Sequence, residues 1–218
     1  MKNLTLKSLV LLSLAVVILL AGCSSLPNLA DVKSKYRHYH DSGKYDDDIR
    51  DVIARATYYC VKRSSDGATN LAIVLDIDDT ALSNWSYISD DDFGFEREQY
   101  RAWVEKGDAA PVASVLQFYQ RVQQLKLSIF FISGRRESLR AATEKNLKSV
   151  GFIEWKKVYL RPVDDTHKDI ATFKMDIRQK IQSLGYVIIA NIGDQKVDFI
   201  GGKAERNYKL PNPFYHSD

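Results

Sequence analysis

The sequence predicts an α/β fold with a mainly parallel sheet, and three observations carry that prediction. Short apolar runs without charges recur along the chain, as strands buried on both faces require. Stretches with apolar residues at helical spacing separate them. Three of the runs end in residues able to do chemistry: Asp76 with Asp78, Ser133, and Asp194. Right-handed crossovers would put those ends on one edge of the sheet, where the sites of open α/β folds lie. The 218 residues suit one domain with a small insertion, and 45% hydrophobic and 27% charged residues are ordinary globular values. A net charge of +3, with no Lys/Arg cluster longer than a pair, leaves no electrostatic footprint for nucleic acid.

The elements follow in chain order. Lys2 and Lys7 form a positive n-region before an apolar stretch, Ser8 to Leu20, that is short for a membrane span and has the form of a secretory h-region. An N-terminal transmembrane helix is the alternative. Leu20-Ala21-Gly22-Cys23 resembles the lipobox of bacterial lipoproteins. That resemblance implies a signal peptide over residues 1–22, lipidation of Cys23 and a tether over residues 23–28. With Ser24 rather than Asp at the next position, it also implies an anchor in the outer membrane of a bacterial envelope. Cys60 is then the sole remaining cysteine, so the mature chain has no internal disulfide. Its apolar-rich surroundings mark it as a buried helix residue rather than a nucleophile.

From Leu29 to Lys62 the spacing is helical but polar, with Tyr36, Tyr39, Tyr45, Ile49, Val52 and Ile53 as the main apolar positions. Ser64 to Gly67 is a break. Leu71 to Leu75 reads as a buried strand ending in Asp76. A polar, aromatic insertion occupies residues 83–110, closed by Pro111. Val112, Val115, Leu116, Tyr119, Val122 and Leu125 then recur at helical spacing. Leu127 to Ile132 is a second strand, Glu137 to Val150 a helix stopped by Gly151, and Val158 to Leu160 a short third strand closed by Pro162. Thr172 to Ser183 is a helix, Gly185 ends it, and Tyr186 to Ile192 is a fourth strand leading to Gly193 and Asp194.

Asp76, Asp78 and Asp79 crowd acidic groups just after a buried strand, which is costly unless positive charge sits among them. A divalent cation with oxygen ligands would answer that cost. On its own the segment reads equally as an Asp-rich turn capping a helix; Asp194, after another buried strand, tips the reading towards metal. Asp198, four residues on, would hold the ion's waters or orient the site. Ser133 and the amides around Gly134 form a candidate phosphate cradle, with a helix N-cap region as the alternative. Lys174 and Lys168 compete as the cation that neutralises a phosphoryl oxygen.

The run from Ile73 to Tyr87, including Asp76-Ile77-Asp78-Asp79-Thr80, resembles the first motif of the haloacid dehalogenase (HAD) superfamily. Within it the likeness is to subfamily IIIB acid phosphatases, which include bacterial class C lipoprotein acid phosphatases and plant acid phosphatases and vegetative storage proteins. Ser133-Gly134-Arg135 resembles the second motif, Phe173-Lys174 with Arg178 the third, Asn191 to Asp198 the fourth, and Lys209 to Tyr215 the family's closing segment. Asp79 replaces the Glu usual in class C enzymes, Ala81 replaces a larger apolar residue, and Lys196 stands where relatives often carry an aromatic.

The resemblance implies a HAD-like Rossmannoid three-layer fold over residues 29–218, with an N-terminal helical segment and a small cap at residues 83–110. It implies an acid phosphatase acting on small phosphate monoesters. Asp76 is the expected nucleophile and Asp78 the expected acid/base. Mg²⁺ would be held by the Asp76 side chain, the Asp78 carbonyl and Asp194, with Asp198 in support. Ser133, Gly134, Lys174 and, secondarily, Arg135 would bind the phosphoryl group. Trp85, Tyr87, Tyr100 and Trp103 could stack on a nucleotide base, or simply build the core of the cap. Two other functions use the same residues: a catalytically silent binding or storage lipoprotein, which retention of Asp76 argues against, and phosphotransfer to an alcohol. Oligomeric state is not legible.

Overall fold

A computed structural model describes residues 26–167 and 169–217. The expected signal peptide (residues 1–22), Cys23 with its expected lipidation, residues 24 and 25 of the expected tether, Lys168 and Asp218 lie outside the described residues. By internal contacts the chain divides into residues 1–35 and residues 36–218. In the first unit, the described residues open helix α1 (Leu29–Asp41), where the Asn28 side chain accepts the Ala30 N–H at 2.9 Å.

In the second unit, helix α2 spans Lys44–Ser64. The one helical stretch expected from 29 to 62 is thus two helices. Gly43 interrupts it with φ of 81°, a left-handed turn that glycine adopts without steric cost. Helix α2 buries Ile49, Ile53, Ala56 and Cys60, a single stripe at helical spacing.

Among the described residues the sheet has five strands, all parallel: β1 (Leu71–Leu75), β2 (Ser128–Arg136), β3 (Lys157–Arg161), β4 (Val187–Gly193) and β5 (Arg206–Lys209), in the order β3-β2-β1-β4-β5. Every residue of β1 is buried, as its central place demands. Alternate residues face two cores. Ile73, Leu75, Ile129 and Phe131 pack with α2 and with helix α5 (Ala113–Gln124), while Ala72, Val74, Phe130 and Ile132 pack against Phe173 and Ile181 of helix α7 (Ile170–Ser183). Helices therefore cover both faces, giving the expected three-layer arrangement.

Two boundaries differ from the sequence reading. Strand β2 runs on past Ile132 to Arg136, so the helix expected from Glu137 is a 3₁₀ turn (Glu137–Leu139) followed by α6 (Arg140–Ser149). The fifth strand was not foreseen. The insertion holds two short helices, α3 (Trp85–Asp90) and α4 (Arg97–Lys106). Its ends are zipped together where Ser83 N–H donates to Ala110 O at 2.8 Å and Val112 N–H to Ala81 O at 3.0 Å. The insertion therefore leaves and rejoins the sheet at one point, directly after the Asp76 turn. Among the described residues no helix is long and apolar enough to cross a membrane.

Candidate active site

The strand order reverses direction of travel at β1, with β2 on one side and β4 on the other, and the crevice of an open α/β sheet forms at such a point. Asp76 follows β1 and Asp194 follows β4, so register brings them together: Leu75 pairs with Ile192, and Asp76 N–H donates to Ile192 O at 2.9 Å. A cavity of about 440 Å³ opens there, and Asp76, Asp78, Gly134, Arg135, Lys174 and Asp194 all reach its wall.

Lys174, from the first turns of α7, is buried and donates to Asp76 Oδ1 at 2.7 Å and to Asp198 Oδ1 at 2.5 Å. Burial lowers its proton affinity, but the charges of Asp198 and Asp76 outweigh that and keep it protonated. Burial pushes Asp76 well above the usual carboxylate range, opposed by Lys174 and reinforced by Asp198, Asp194 and Asp78. Asp194 is pushed up to about 7, by burial first and then by Asp198 and Asp79.

Asp76, Asp194 and Asp198 each offer an oxygen within 4.8 Å of the others, and all three are buried. Lys174 bonds to two of these three carboxylates, and with all three ionised the cluster would carry an excess of two negative charges, which a divalent cation would cancel. The donors are all oxygen, which suits a hard cation. The residues present therefore fit a metal. The side chain of Asp78 lies outside this cluster, while Asp198, assigned only a supporting role from sequence, lies inside it.

Asp78 has a different set of partners. Arg135 clamps it, with Nε 3.1 Å from both carboxylate oxygens and Nη2 2.8 Å from Oδ1. Tyr100 of α4 donates to the same carboxylate at 2.8 Å and Asn84 at 2.9 Å. Burial pushes Asp78 upward, but the Arg135 charge and these hydrogen bonds prevail and hold it at about 2. Arg135 is thus a direct partner of the acid/base candidate, a larger part than the sequence assigned. Ser133 is fully buried beneath the site; its hydroxyl donates to Asp78 at 3.4 Å and accepts the Arg135 N–H at 3.1 Å.

Residues 25–218 match the profile of the HAD superfamily, subfamily IIIB (acid phosphatase). The chain belongs to that family. Acid phosphatase 1 of Solanum lycopersicum is 39% identical over 147 residues, which cover 66% of this chain and 58% of that protein. Vegetative storage protein 1 of Arabidopsis thaliana is 31% identical over 179 residues, 80% of this chain and 66% of that one. The chain thus spans 58% of the length of the tomato relative. The class C acid phosphatase from Bacillus anthracis superposes with a TM-score of 0.73 over 86% of each chain, at 21% identity, a likeness of fold.

Several residues of this subfamily IIIB site were not singled out by sequence reading. Gln195, Asn212 and Tyr215 reach Asp194 or Asp79 from the fourth motif and the closing segment. Asp79 takes φ of 49°; its Oδ1 accepts the Asn84 N–H at 2.8 Å and its Oδ2 the Tyr215 hydroxyl at 2.7 Å. Burial raises Asp79 to about 6 despite those bonds. Arg178, known only as part of a motif, is 1% exposed and pins the 198–202 loop through the carbonyls of Asp198, Ile200 and Gly202. Of the four aromatics offered for stacking, Tyr87 and Tyr100 line the cavity, joined by Phe93, Phe95 and Phe214. Trp85 instead stacks on His40 with ring centroids 3.8 Å apart, and Trp103 donates to Asn84.

Proposed function

We propose that this protein hydrolyses phosphate monoesters through an aspartyl-phosphate on Asp76. The observation that carries the reading is the buried Asp76 carboxylate at the cavity wall, held by a protonated lysine 2.7 Å away and facing Asp194. An Asp76 oxygen attacks phosphorus, the P–O bond to the leaving group breaks, and Asp78 supplies the proton the departing alkoxide needs. Water then attacks the same phosphorus, Asp78 takes its proton, and phosphate leaves a regenerated Asp76. Lys174 neutralises charge on the phosphoryl oxygens, and its second bond, to Asp198, fixes its direction. The phosphoryl group competes with Asp78 for Arg135. Drawing the guanidinium away from Asp78 raises that carboxyl's proton affinity and makes it a better acid.

The metal we propose is Mg²⁺, held by Asp76 and Asp194. When bound it screens the repulsion between an anionic nucleophile and an anionic substrate. The leaving group we propose is aromatic, with nucleoside 5′-monophosphates as one class, because Phe93, Phe95, Tyr87, Tyr100 and Phe214 line the outer cavity. The test is turnover of 5′-nucleotides, an aryl phosphate and glycerol phosphate, with Mg²⁺ or with chelator, beside Asp76→Asn. Loss of turnover by at least about 10³-fold in the variant, at unchanged melting temperature, is expected. Wild-type turnover by Asp76→Asn would overturn the reading, and equal kcat/KM on glycerol phosphate would overturn the aromatic preference.

We further propose that Cys23 carries a lipid anchor on the outer membrane. Lys2, Lys7, the apolar stretch to Leu20 and the small pair before Cys23 support that reading. Labelling with a radioactive fatty acid, lost in Cys23→Ala, tests it.

A further inference from the structure

We propose that the chain's last segment, residues 209–217, is a strap that fixes the orientation of Asp194 for the metal, with Asn212 as its main positioning residue. The inference rests on the metal reading given under Proposed function. Asp194 has two carboxylate oxygens with different surroundings. Oδ2 accepts from Asn212 Nδ2 at 2.6 Å and from Gln195 Nε2 at 2.7 Å. Among the described residues, Oδ1 accepts one long bond, from the Thr80 hydroxyl at 3.3 Å. Two strong bonds on one oxygen hold the group against rotation and leave the other oxygen for the cation.

The strap itself determines how both amides point. Asn212 Oδ1 accepts the Phe214 N–H at 2.9 Å, which turns its NH₂ towards Asp194. Pro211 and Pro213 flank Asn212 and restrict its backbone on both sides. Gln195 Oε1 accepts the Ser217 N–H at 3.2 Å, which turns the Gln195 NH₂ towards the same carboxylate. The segment is tied down at its start as well. Leu210 N–H donates to Gly193 O at 2.8 Å, and Lys209 Nζ donates to the Asp194 carbonyl at 2.7 Å. The strap therefore acts on Asp194 twice, directly through Asn212 and at one remove through Gln195. Tyr215, farther along, does the same for Asp79. A residue that orients a metal-ligating carboxylate changes affinity for the ion far more than it changes the fold.

The test is direct titration of Mn²⁺ into metal-free protein by calorimetry, for the parent, Asn212→Ala, Gln195→Ala and the double variant. Each single variant should bind Mn²⁺ about 10- to 100-fold more weakly, and kcat should recover to near the parent value at saturating metal. In chelator, where no ion contributes, each single variant should still unfold cooperatively, at a melting temperature about 3–12 °C below the parent for the lost bond, which separates positioning from misfolding. Parent-like Mn²⁺ affinity in Asn212→Ala would overturn the strap inference alone. A parent protein that binds no Mn²⁺ would overturn the metal reading and this inference with it. Lost turnover that saturating metal does not restore, with Mn²⁺ affinity intact, would also overturn it, because Asn212 would then act elsewhere.

Discussion

Replacing Arg178 with Met tests how far the site depends on a residue that reaches it only through backbone carbonyls. The guanidinium donates to the carbonyls of Asp198 at 2.6 Å, Gly202 at 2.9 Å and Ile200. Three bonds from a charged donor contribute about 1.5–3 kcal/mol each, some 4–9 kcal/mol in all. Burial opposes that. It lowers the proton affinity of Arg178 to about 10, a penalty of about 3 kcal/mol. The carbonyls are not all stranded in the variant: Asp198 O keeps the Asn191 amide at 2.8 Å, and Ile200 is 52% exposed, so water can replace the lost donor there. The net cost is then about 1–6 kcal/mol, or roughly 2–24 °C in melting temperature for a chain of this size. Because the same loop carries Asp198, the partner of Lys174, turnover should fall with stability. Thermal unfolding beside phosphatase assays at low temperature would measure both. A variant that melts within about 2 °C of the parent would refute the reasoning, since it would mean the three bonds and the burial penalty cancel.

Three shorter predictions accompany it. In Gly193→Ala the new Cβ would lie 2.2 Å from Asp198 Oδ2, so the carboxylate that directs Lys174 must move, and turnover should drop by about 10²-fold. Parent-like kinetics would show that the strand can yield instead. Burial pushes the Cys60 thiol up to about 12, so iodoacetamide at pH 8 should leave Cys60 unlabelled in the folded protein and react with it in urea; prompt labelling of Cys60 in the folded chain would contradict this. Asp165 is held at about 2: burial raises it, but hydrogen bonds from His167 and Arg161 prevail. Its folded value lies below the roughly 3.9 of an unfolded Asp, so its stabilisation is complete above that pH and is lost as pH falls through about 2. The melting-temperature gap between parent and Asp165→Asn should therefore be widest near neutrality and close towards pH 2, and a gap independent of pH would rule out the linkage.

The sheet was legible where burial left a strong signature. Strands β1, β2, β3 and β4 are covered on both faces, so each reads as an apolar run. Strand β5 was not legible. Its four residues, Arg206 to Lys209, form an edge where only Tyr208 is buried, and polar residues satisfy an edge as well as apolar ones do. The extension of β2 through Ser133, Gly134 and Arg135 was missed for a related reason: polar residues that follow a strand look like a loop, yet here they continue the backbone to pair Arg136 with Arg161.

Sequence alone determined the fold class, the family likeness and the acidic, hydroxyl and lysine residues at the strand ends, because hydrophobic period and strand-end chemistry are local properties. Only the tertiary structure decided which of those groups become partners. It paired Arg135 with Asp78 rather than leaving it to the phosphoryl group alone, set Lys174 between Asp76 and Asp198, and drew Asn212 and Tyr215 back over the site. The physical reason is that a buried charge takes its partner from whatever the packing of distant segments brings within about 3 Å, and no local pattern records that meeting.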